Sequence, residues 1–266
     1  MPYHRSWLFV FLLLFGAVVV MNPPAFPQKT DILIIAPHPD DAVLCCAGVI
    51  QQARARGKTV RVVNVTDGDG YKAAAAALFG KKEAALTTAD MRKFGRIRRR
   101  EELQALAVLG LKQNQVTFLG YPDGWLEEAY DYTGTAPLMS PYTGKSQTDH
   151  GTLFSRTAMQ GDMRTLLASA APKQLYIPSG QDEALDHQVV YQVITDTLNE
   201  GGYTGGILSY RIHTKDTPTI RSSASTIHLS QDEYHAKEKA LKKYRSQMML
   251  DGEYLSTFIH ETEVFY

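Results

Sequence analysis

The stretch "DILIIAPHPDDAVL", residues 31–44, decides the fold, because an apolar run leads into metal-capable side chains and then into a helical pattern. The run "ILIIA" is short and continuous, which is typical of a strand buried on both faces. His38, Asp40 and Asp41 follow it directly. In a doubly wound sheet the ligand site lies beyond the carboxyl ends of the strands. We therefore expect these three side chains to project into a ligand-binding crevice.

Strand and helix patterns alternate along the rest of the chain, which predicts a mostly parallel sheet with helices on both faces. The fold class is therefore α/β and Rossmann-like, in a single domain over residues 30–266. Further strands are predicted at 59–66, 115–120, 174–178 and 206–213, with a strand-like tail at 257–266; helices are predicted at 42–56, 73–86, 92–109, 159–169, 186–199 and 231–247.

Residues 121–157 are rich in Gly, Thr, Tyr and Pro and show little periodicity. A segment of this length without regular structure is unusual inside a compact domain unless it is functional. We interpret it as an excursion near the strand ends that covers the substrate.

The first 29 residues are set apart from this domain. A run without charge, "WLFVFLLLFGAVVVM" at 7–21, follows His4 and Arg5. The run suits the core of a signal peptide, and it also suits an uncleaved signal-anchor with "NPPAFPQK" as its linker. Both readings predict export, either to the membrane surface or into a secreted or periplasmic location.

Composition excludes two classes of protein, those that bind nucleic acid through a basic surface and those built on a disulfide framework. The 266 residues have a formal net charge of +0, which gives no sign of a nucleic-acid footprint. The only two cysteines are Cys45 and Cys46, which excludes a disulfide framework. Adjacent cysteines bridge only with strain, so we expect two free thiols on a buried helix.

The His-Pro-Asp-Asp sequence has the chemistry of a hydrolytic metal site. Histidine and carboxylate ligands with one open position are typical of catalytic zinc. The best third ligand is His187, because it follows the predicted strand 174–178. One of the two adjacent carboxylates is then free to take a proton from water. The competing interpretation, a simple helix N-cap, does not account for the preceding His-Pro.

These motifs resemble the PIG-L/LmbE-like de-N-acetylase family, whose metal-dependent members remove acetyl groups from N-acetylglucosaminyl compounds. "APHPDDAVL" is similar to the signature of that family, and the likeness continues through "VTDGDG", "RRREELQALAVLG", "FLGYPDG", the pair Asp186-His187 and "KALKKYRSQ". It covers residues 31 to the C-terminus.

The resemblance implies a role for each matching residue. His38, Asp41 and His187 become ligands of Zn²⁺, although Fe²⁺ suits the same donors. Asp40 becomes the general base. Arg98 and Asp123 match positions that hold the substrate sugar or its substituent. From the residues alone, a solvated helix face for the arginine and a turn for the aspartate stay open.

One position departs from the pattern. The family commonly has a histidine where this chain has Ala184, and that histidine helps to stabilise the oxyanion or to protonate the leaving amine. Our candidate substitute is His213, which ends a predicted strand, and Tyr121 is the second option. A half-buried strand histidine is the alternative interpretation of His213.

The resulting prediction is a hydrolase in which a metal-bound hydroxide attacks the acetamide of an N-acetylglucosamine-type sugar or glycoconjugate. The alternative is a weak or inactive carbohydrate-binding relative on the same fold. A metal-dependent esterase or amidase that acts on other acyl groups is a third option. The expected partner is a small-molecule or glycan substrate, with membrane contact only through the N-terminal segment.

Overall fold

The computed structural model describes residues 29–214 and 225–266. In this part of the chain the main sheet has five strands, all parallel, in the order β3-β2-β1-β4-β5. The prediction of a mostly parallel α/β sheet in one domain is confirmed. The strands are β1 (Ile32–Ala36), β2 (Val60–Thr66), β3 (Val116–Tyr121), β4 (Gln174–Pro178) and β5 (Gly206–Tyr210).

Helices cover both faces of this sheet because side chains alternate along each strand. In β1, Ile32 and Ile34 enter one apolar core, whereas Leu33 and Ile35 enter the other. The helices are α1 (Asp41–Ala55), α2 (Lys72–Phe79), α3 (Thr88–Val108), α4 (Leu126–Asp131), α5 (Arg156–Ala170), α6 (Leu185–Asn199), α7 (Gln231–Leu241) and α8 (Arg245–Ser256).

The strand order places a topological switch point between β1 and β4. The chain builds outward from β1 through β2 to β3 and then returns to the other side of β1. Loops that leave neighbouring strands at such a point diverge and open a crevice. The loop with residues 37–40 follows β1, and the turn with residues 179–184 follows β4, so both border this crevice.

A second, antiparallel pair, β6 (Ser225–His228) and β7 (Thr262–Phe265), packs against α1. The helix α1 leaves helical geometry at Cys46, which frees amide groups just after the break. The buried Glu263 carboxylate accepts hydrogen bonds from the amides of Gly48 and Val49, and the Lys237 ammonium lies 2.9 Å from it. The C-terminal strand therefore caps the kinked helix.

Several predicted boundaries are wrong. The predicted helix 231–247 is two helices, because the chain turns so that Tyr244 is buried between them. The predicted helix 73–86 ends early at Gly80, which caps α2 with a φ of 62°. The strand predicted at 206–213 ends at Tyr210, and the strand β6 was not predicted.

The irregular excursion at 121–157 is largely confirmed, but it contains one short helix. Helix α4 occupies Leu126–Asp131, and one isolated bridge joins Gln147 to Leu153. A role for this segment as a substrate cover stays a prediction.

The prediction of two free thiols is wrong, because Cys45 and Cys46 form a disulfide in the structure. The chain at Cys46 is not helical, and this departure from regular α-helix is what lets neighbouring side chains meet.

The predicted signal or anchor run at 7–21 lies outside the described residues. Among residues 29–214 and 225–266, no helix has both the length and the apolar character that crossing a membrane requires.

Candidate active site

The segments that follow β1 and β4 at the switch point bring the three predicted metal ligands together, with His38 in the loop after β1 and Asp41 and His187 in the first turns of α1 and α6. Candidate donor atoms of His38, Asp41 and His187 all lie within 4.8 Å of one another. The Asp41 carboxylate is central, because its Oδ2 lies 3.5 Å from His38 Nδ1 and 3.3 Å from His187 Nε2. The side chains thus reach one point although the sequence separates the histidines widely.

The spacing of these donors fits a small divalent cation. Tetrahedral zinc with bonds of about 2.0–2.2 Å places neighbouring donors about 3.4 Å apart. The outer ring nitrogens give a second indication, since ligating histidines usually turn their other nitrogen to a carboxylate. His187 Nδ1 lies 3.1 Å from Asp182 Oδ2, and His38 Nε2 lies 3.2 Å from both Asp123 and Asp186.

The electrostatics of the cluster also favour a cation. Burial opposes charge on both imidazoles, yet the surrounding carboxylates raise the pKa of His38 well above its usual value and that of His187 to about 9. Burial alone would raise the pKa of Asp41, but His187 and His38 hold it well below its usual value. Both ring nitrogens of His187 are buried and make no hydrogen bond of good geometry. The donor set therefore fits a divalent metal.

Asp40 lies beside this set in a strained backbone conformation, with a φ of 127°. Such strain in a non-glycine residue is typical of functional sites. Its Oδ2 accepts a hydrogen bond of 2.9 Å from the Arg98 guanidinium. Burial raises the pKa of Asp40 to about 7, with Arg98 opposing and Asp41 reinforcing the shift. A carboxylate of this kind can exchange a proton near neutrality.

Arg98 and Asp123, predicted to hold the sugar, both reach the site but are engaged by protein groups. The guanidinium of Arg98 donates to the carbonyls of Pro39 and Gly68 as well as to Asp40. The loop permits this approach because Gly68 has a φ of 64° and a Cβ there would collide with Arg98. Asp123 accepts the Gly70 amide and faces His38, so a sugar contact for either residue stays a proposal.

A cavity of about 490 Å³ opens over these residues. The structure brings His213 into its wall, where the ring centroids of His213 and His187 lie 5.0 Å apart. Ala184 precedes α6 as its N-cap residue and makes no side-chain cap. Tyr121 is not brought there, because its buried hydroxyl donates to Asp162. The described lining consists of His38, Asp40, Asp41, Leu44, Gly70, Tyr71, Arg98, Asp123, Gly124, Ile212, His213, Gln247, Asp251, Tyr254 and Leu255.

Sequence reasoning missed Asp182, which organises one side of the site. Its fully buried carboxylate faces His187 Nδ1 and accepts the amides of Ile212 and His213 at 2.8 and 3.2 Å. The sequence held one indication of this role, since Asp182 is an acidic residue shortly after the predicted strand 174–178. The wall from α8, which includes Tyr254, was also missed, and no local pattern marks it.

Behind Arg98, helix α3 carries the fully buried Glu102. Its carboxyl accepts a hydrogen bond from the Tyr244 hydroxyl and one of 3.4 Å from the Asn64 amide. Burial raises the pKa of Glu102 to about 8, chiefly through desolvation. Between pH 4.5 and about pH 8 the folded state therefore keeps this proton, whereas the unfolded chain, whose carboxyl has a pKa near 4.5, has released it.

We expect Glu102→Gln to flatten the pH dependence of stability. Because the folded pKa is raised, stability from this carboxyl is fully present below pH 4.5 and is lost as pH rises towards 8. The loss is at most about 1.4 kcal/mol for each pH unit. Urea unfolding at several pH values between 5 and 9 measures it. A variant with the same pH slope as the wild type would contradict the shifted pKa, and exposed Glu253→Gln is the matched control.

Comparison with known proteins identifies the family of this chain. The family model described as GlcNAc-PI de-N-acetylase, PIG-L, matches residues 33–198, and the chain belongs to this family. The matched range includes every candidate metal ligand and Asp40. A search of curated proteins found no match.

Solved structures show the same fold at low sequence identity. N,N'-diacetylchitobiose deacetylase from Pyrococcus horikoshii is 21% identical, with 92% of this chain and 85% of that chain covered and a TM-score of 0.57. The conserved protein TT1542 from Thermus thermophilus is 20% identical, with 89% and 94% covered and a TM-score of 0.57. The pseudoaglycone deacetylase Dbv21 is 18% identical, with 85% of both chains covered and a TM-score of 0.58.

Proposed function

We propose that this protein is a metal-dependent hydrolase that removes the acetyl group from an N-acetylglucosamine-type sugar or glycoconjugate. The observation that carries the proposal is the convergence of His38, Asp41 and His187 beside the buried Asp40 in one cavity. Membership of the PIG-L family supports the same reaction class.

The three donors would hold the metal. When bound, a divalent cation lowers the pKa of a water molecule and polarises a carbonyl oxygen, which makes amide attack feasible at neutral pH. Two imidazoles and one carboxylate suit Zn²⁺ or Fe²⁺, and we propose Zn²⁺ as the working cofactor. Asp182, Asp123 and Asp186 would fix the two imidazole rings through their outer nitrogens.

Asp40 is the proposed general base. Its carboxylate takes a proton from the attacking water, and Arg98 holds that carboxylate in place through its 2.9 Å contact. As the carbon–nitrogen bond breaks, the proton passes to the leaving nitrogen. The products are acetate and the free amine of the sugar.

We propose that the substrate presents N-acetylglucosamine, on two grounds. The family is described as GlcNAc-PI de-N-acetylase, and one structural neighbour is named as a deacetylase of N,N'-diacetylchitobiose. The cavity of about 490 Å³ is of the size of small-molecule sites. Arg98 and Asp123 line the cavity, and we propose that both contact the sugar in addition to the protein groups that they already bind.

A carbohydrate-binding relative without turnover is the second candidate. Ala184 favours it, because this residue just before α6 is an alanine where the family commonly has a histidine. A missing oxyanion donor costs about 10²–10³-fold in rate. His213 in the cavity wall favours the enzyme, since its imidazole beside His187 is placed to contact the nitrogen of a bound acetamide.

We expect purified, zinc-loaded protein to release acetate from N,N'-diacetylchitobiose or another N-acetylglucosaminide. Chelation should abolish the release and added zinc should restore it, because the donors fit a divalent metal. An enzymatic acetate assay over a panel of such sugars measures this. Glycan binding without any acetate release, at full metal occupancy, would favour the second candidate.

The chain organisation is also a proposal. Residues 1–29 would act as a cleaved signal or a signal-anchor, and residues 30–266 would form the deacetylase domain. The uncharged run at 7–21 supports export to a membrane-anchored, secreted or periplasmic location.

A further inference from the structure

His213 is fixed by a tyrosine that the proposed reaction does not otherwise use. The backbone at 212–213 is held on one side, where Asp182 accepts both amides and the Glu183 amide donates to the His213 carbonyl at 2.7 Å. The imidazole is held on the other side by Tyr254 from α8. The two rings stack with centroids 6.1 Å apart and planes 16° apart.

The hydroxyl of Tyr254 has only one proton to donate. It lies 3.0 Å from the carbonyl oxygen of Ile212 and 3.3 Å from His213 Nδ1. A carbonyl oxygen can only accept, so the tyrosine proton belongs to Ile212. The remaining contact then requires His213 Nδ1 to carry a proton and donate it to the tyrosine oxygen.

This contact decides which nitrogen of neutral His213 keeps a lone pair. With the proton on Nδ1, the nitrogen Nε2 is an acceptor. Among residues 29–214 and 225–266, the one side-chain hydrogen bond of His213 is the contact of its Nδ1 with Tyr254, and the residue lines the cavity with Asp40 and Asp41. In the same part of the chain, a second group of possible metal donors consists of His38, Asp123 and Asp186, and neither this group nor the set His38, Asp41 and His187 includes His213. Its free nitrogen is therefore available to a substrate.

We propose that Tyr254 is a positioning residue that holds His213 as the Nδ1–H tautomer, so that Nε2 accepts the N–H of the substrate acetamide. This inference rests on the proposed deacetylase function. It places the leaving nitrogen at His213 and the carbonyl oxygen towards the metal donors. It also makes the pair a determinant of specificity, because an acetamide has an N–H and an acetate ester has none.

The test uses the full chain with two substrates and one spectroscopic readout. The variant is Tyr254→Phe, which keeps the ring that stacks on His213 but removes the hydroxyl oxygen. The control is Tyr234→Phe, which removes the hydroxyl from another tyrosine–histidine pair, with His235 on α7. The readouts are the ¹⁵N signals of the His213 ring, assigned with His213→Gln, and kcat/KM for an N-acetylglucosaminide and for an aryl acetate ester.

In the wild type we expect the Nδ1–H tautomer of His213, and in Tyr254→Phe a mixture of tautomers. The ratio of kcat/KM for amide over ester should fall about tenfold in Tyr254→Phe, since misplaced hydrogen-bonding groups cost rate. It should stay unchanged in Tyr234→Phe. An Nε2–H tautomer in the wild type, or an equal loss on both substrates, would overturn the proposal. A wild type that cleaves no acetamide would instead refute the proposed function, while the tautomer readout still tests Tyr254.

Discussion

Asp40→Asn is expected to lower kcat for acetate release by about 10²–10⁴-fold, the usual contribution of a general base. The amide has nearly the shape of the carboxyl, and its oxygen can still accept from Arg98, but it cannot take a proton from water. Because Asp41 and the two imidazoles are untouched, the bound metal should stay close to one per chain. Steady-state kinetics and metal analysis of the same preparation measure both quantities.

The control for this variant is Asp232→Asn, which removes an exposed carboxylate from the first turn of α7. It should leave kcat and metal content unchanged. If Asp40→Asn kept kcat within a factor of about three while the metal remained bound, another group would have to be the base. If it lost the metal as well, Asp40 would act as a ligand and not as the base.

His187→Ala is expected to remove both the bound metal and the activity. The variant leaves only two of the three donors, and it deprives Asp41 of the imidazole that holds its pKa down. A catalytic zinc site with three protein ligands rarely survives the loss of one, so kcat should fall by at least about 10³-fold. Metal content after dialysis and acetate release measure the two losses.

A milder substitution beside His187 separates loss of the metal ligand from loss of the fold. Asp182→Asn keeps His187 and should weaken metal affinity by about 10–100-fold, because the ring loses the carboxylate that faces its outer nitrogen. Excess zinc should restore its activity, whereas His187→Ala should not recover. Exposed His235→Ala serves as the control. Full metal binding by His187→Ala would refute this ligand assignment.

Much of the site was predictable because it depends on two local signals and one topological rule. The apolar run before "HPDD" marks a strand end, and the rule for doubly wound sheets places such ends beside one crevice. The same rule brought His187 into consideration, since it follows another strand. The approach of His38 and His187 to Asp41 could therefore be predicted without knowledge of side-chain packing.

The remaining parts of the site depend on tertiary contacts that have no local signature. Tyr254 reaches His213 only because the chain breaks between α7 and α8, and the apolar pattern of the sequence runs through that break. Arg98 appeared as one of several basic residues on a helix, and its burial against Asp40 follows from how α3 packs on the sheet. The capping of the α1 kink by Glu263 likewise joins residues more than two hundred positions apart.

The central claim is that His38, Asp41 and His187 together hold one divalent cation beside Asp40. The most direct test is a crystal of the zinc-loaded protein measured on both sides of the zinc absorption edge. We predict a single anomalous peak in this cavity, bonded to one nitrogen of each histidine and to the Asp41 carboxylate. A peak elsewhere, or a fully loaded protein with the His187 ring turned away from the ion, would contradict the account.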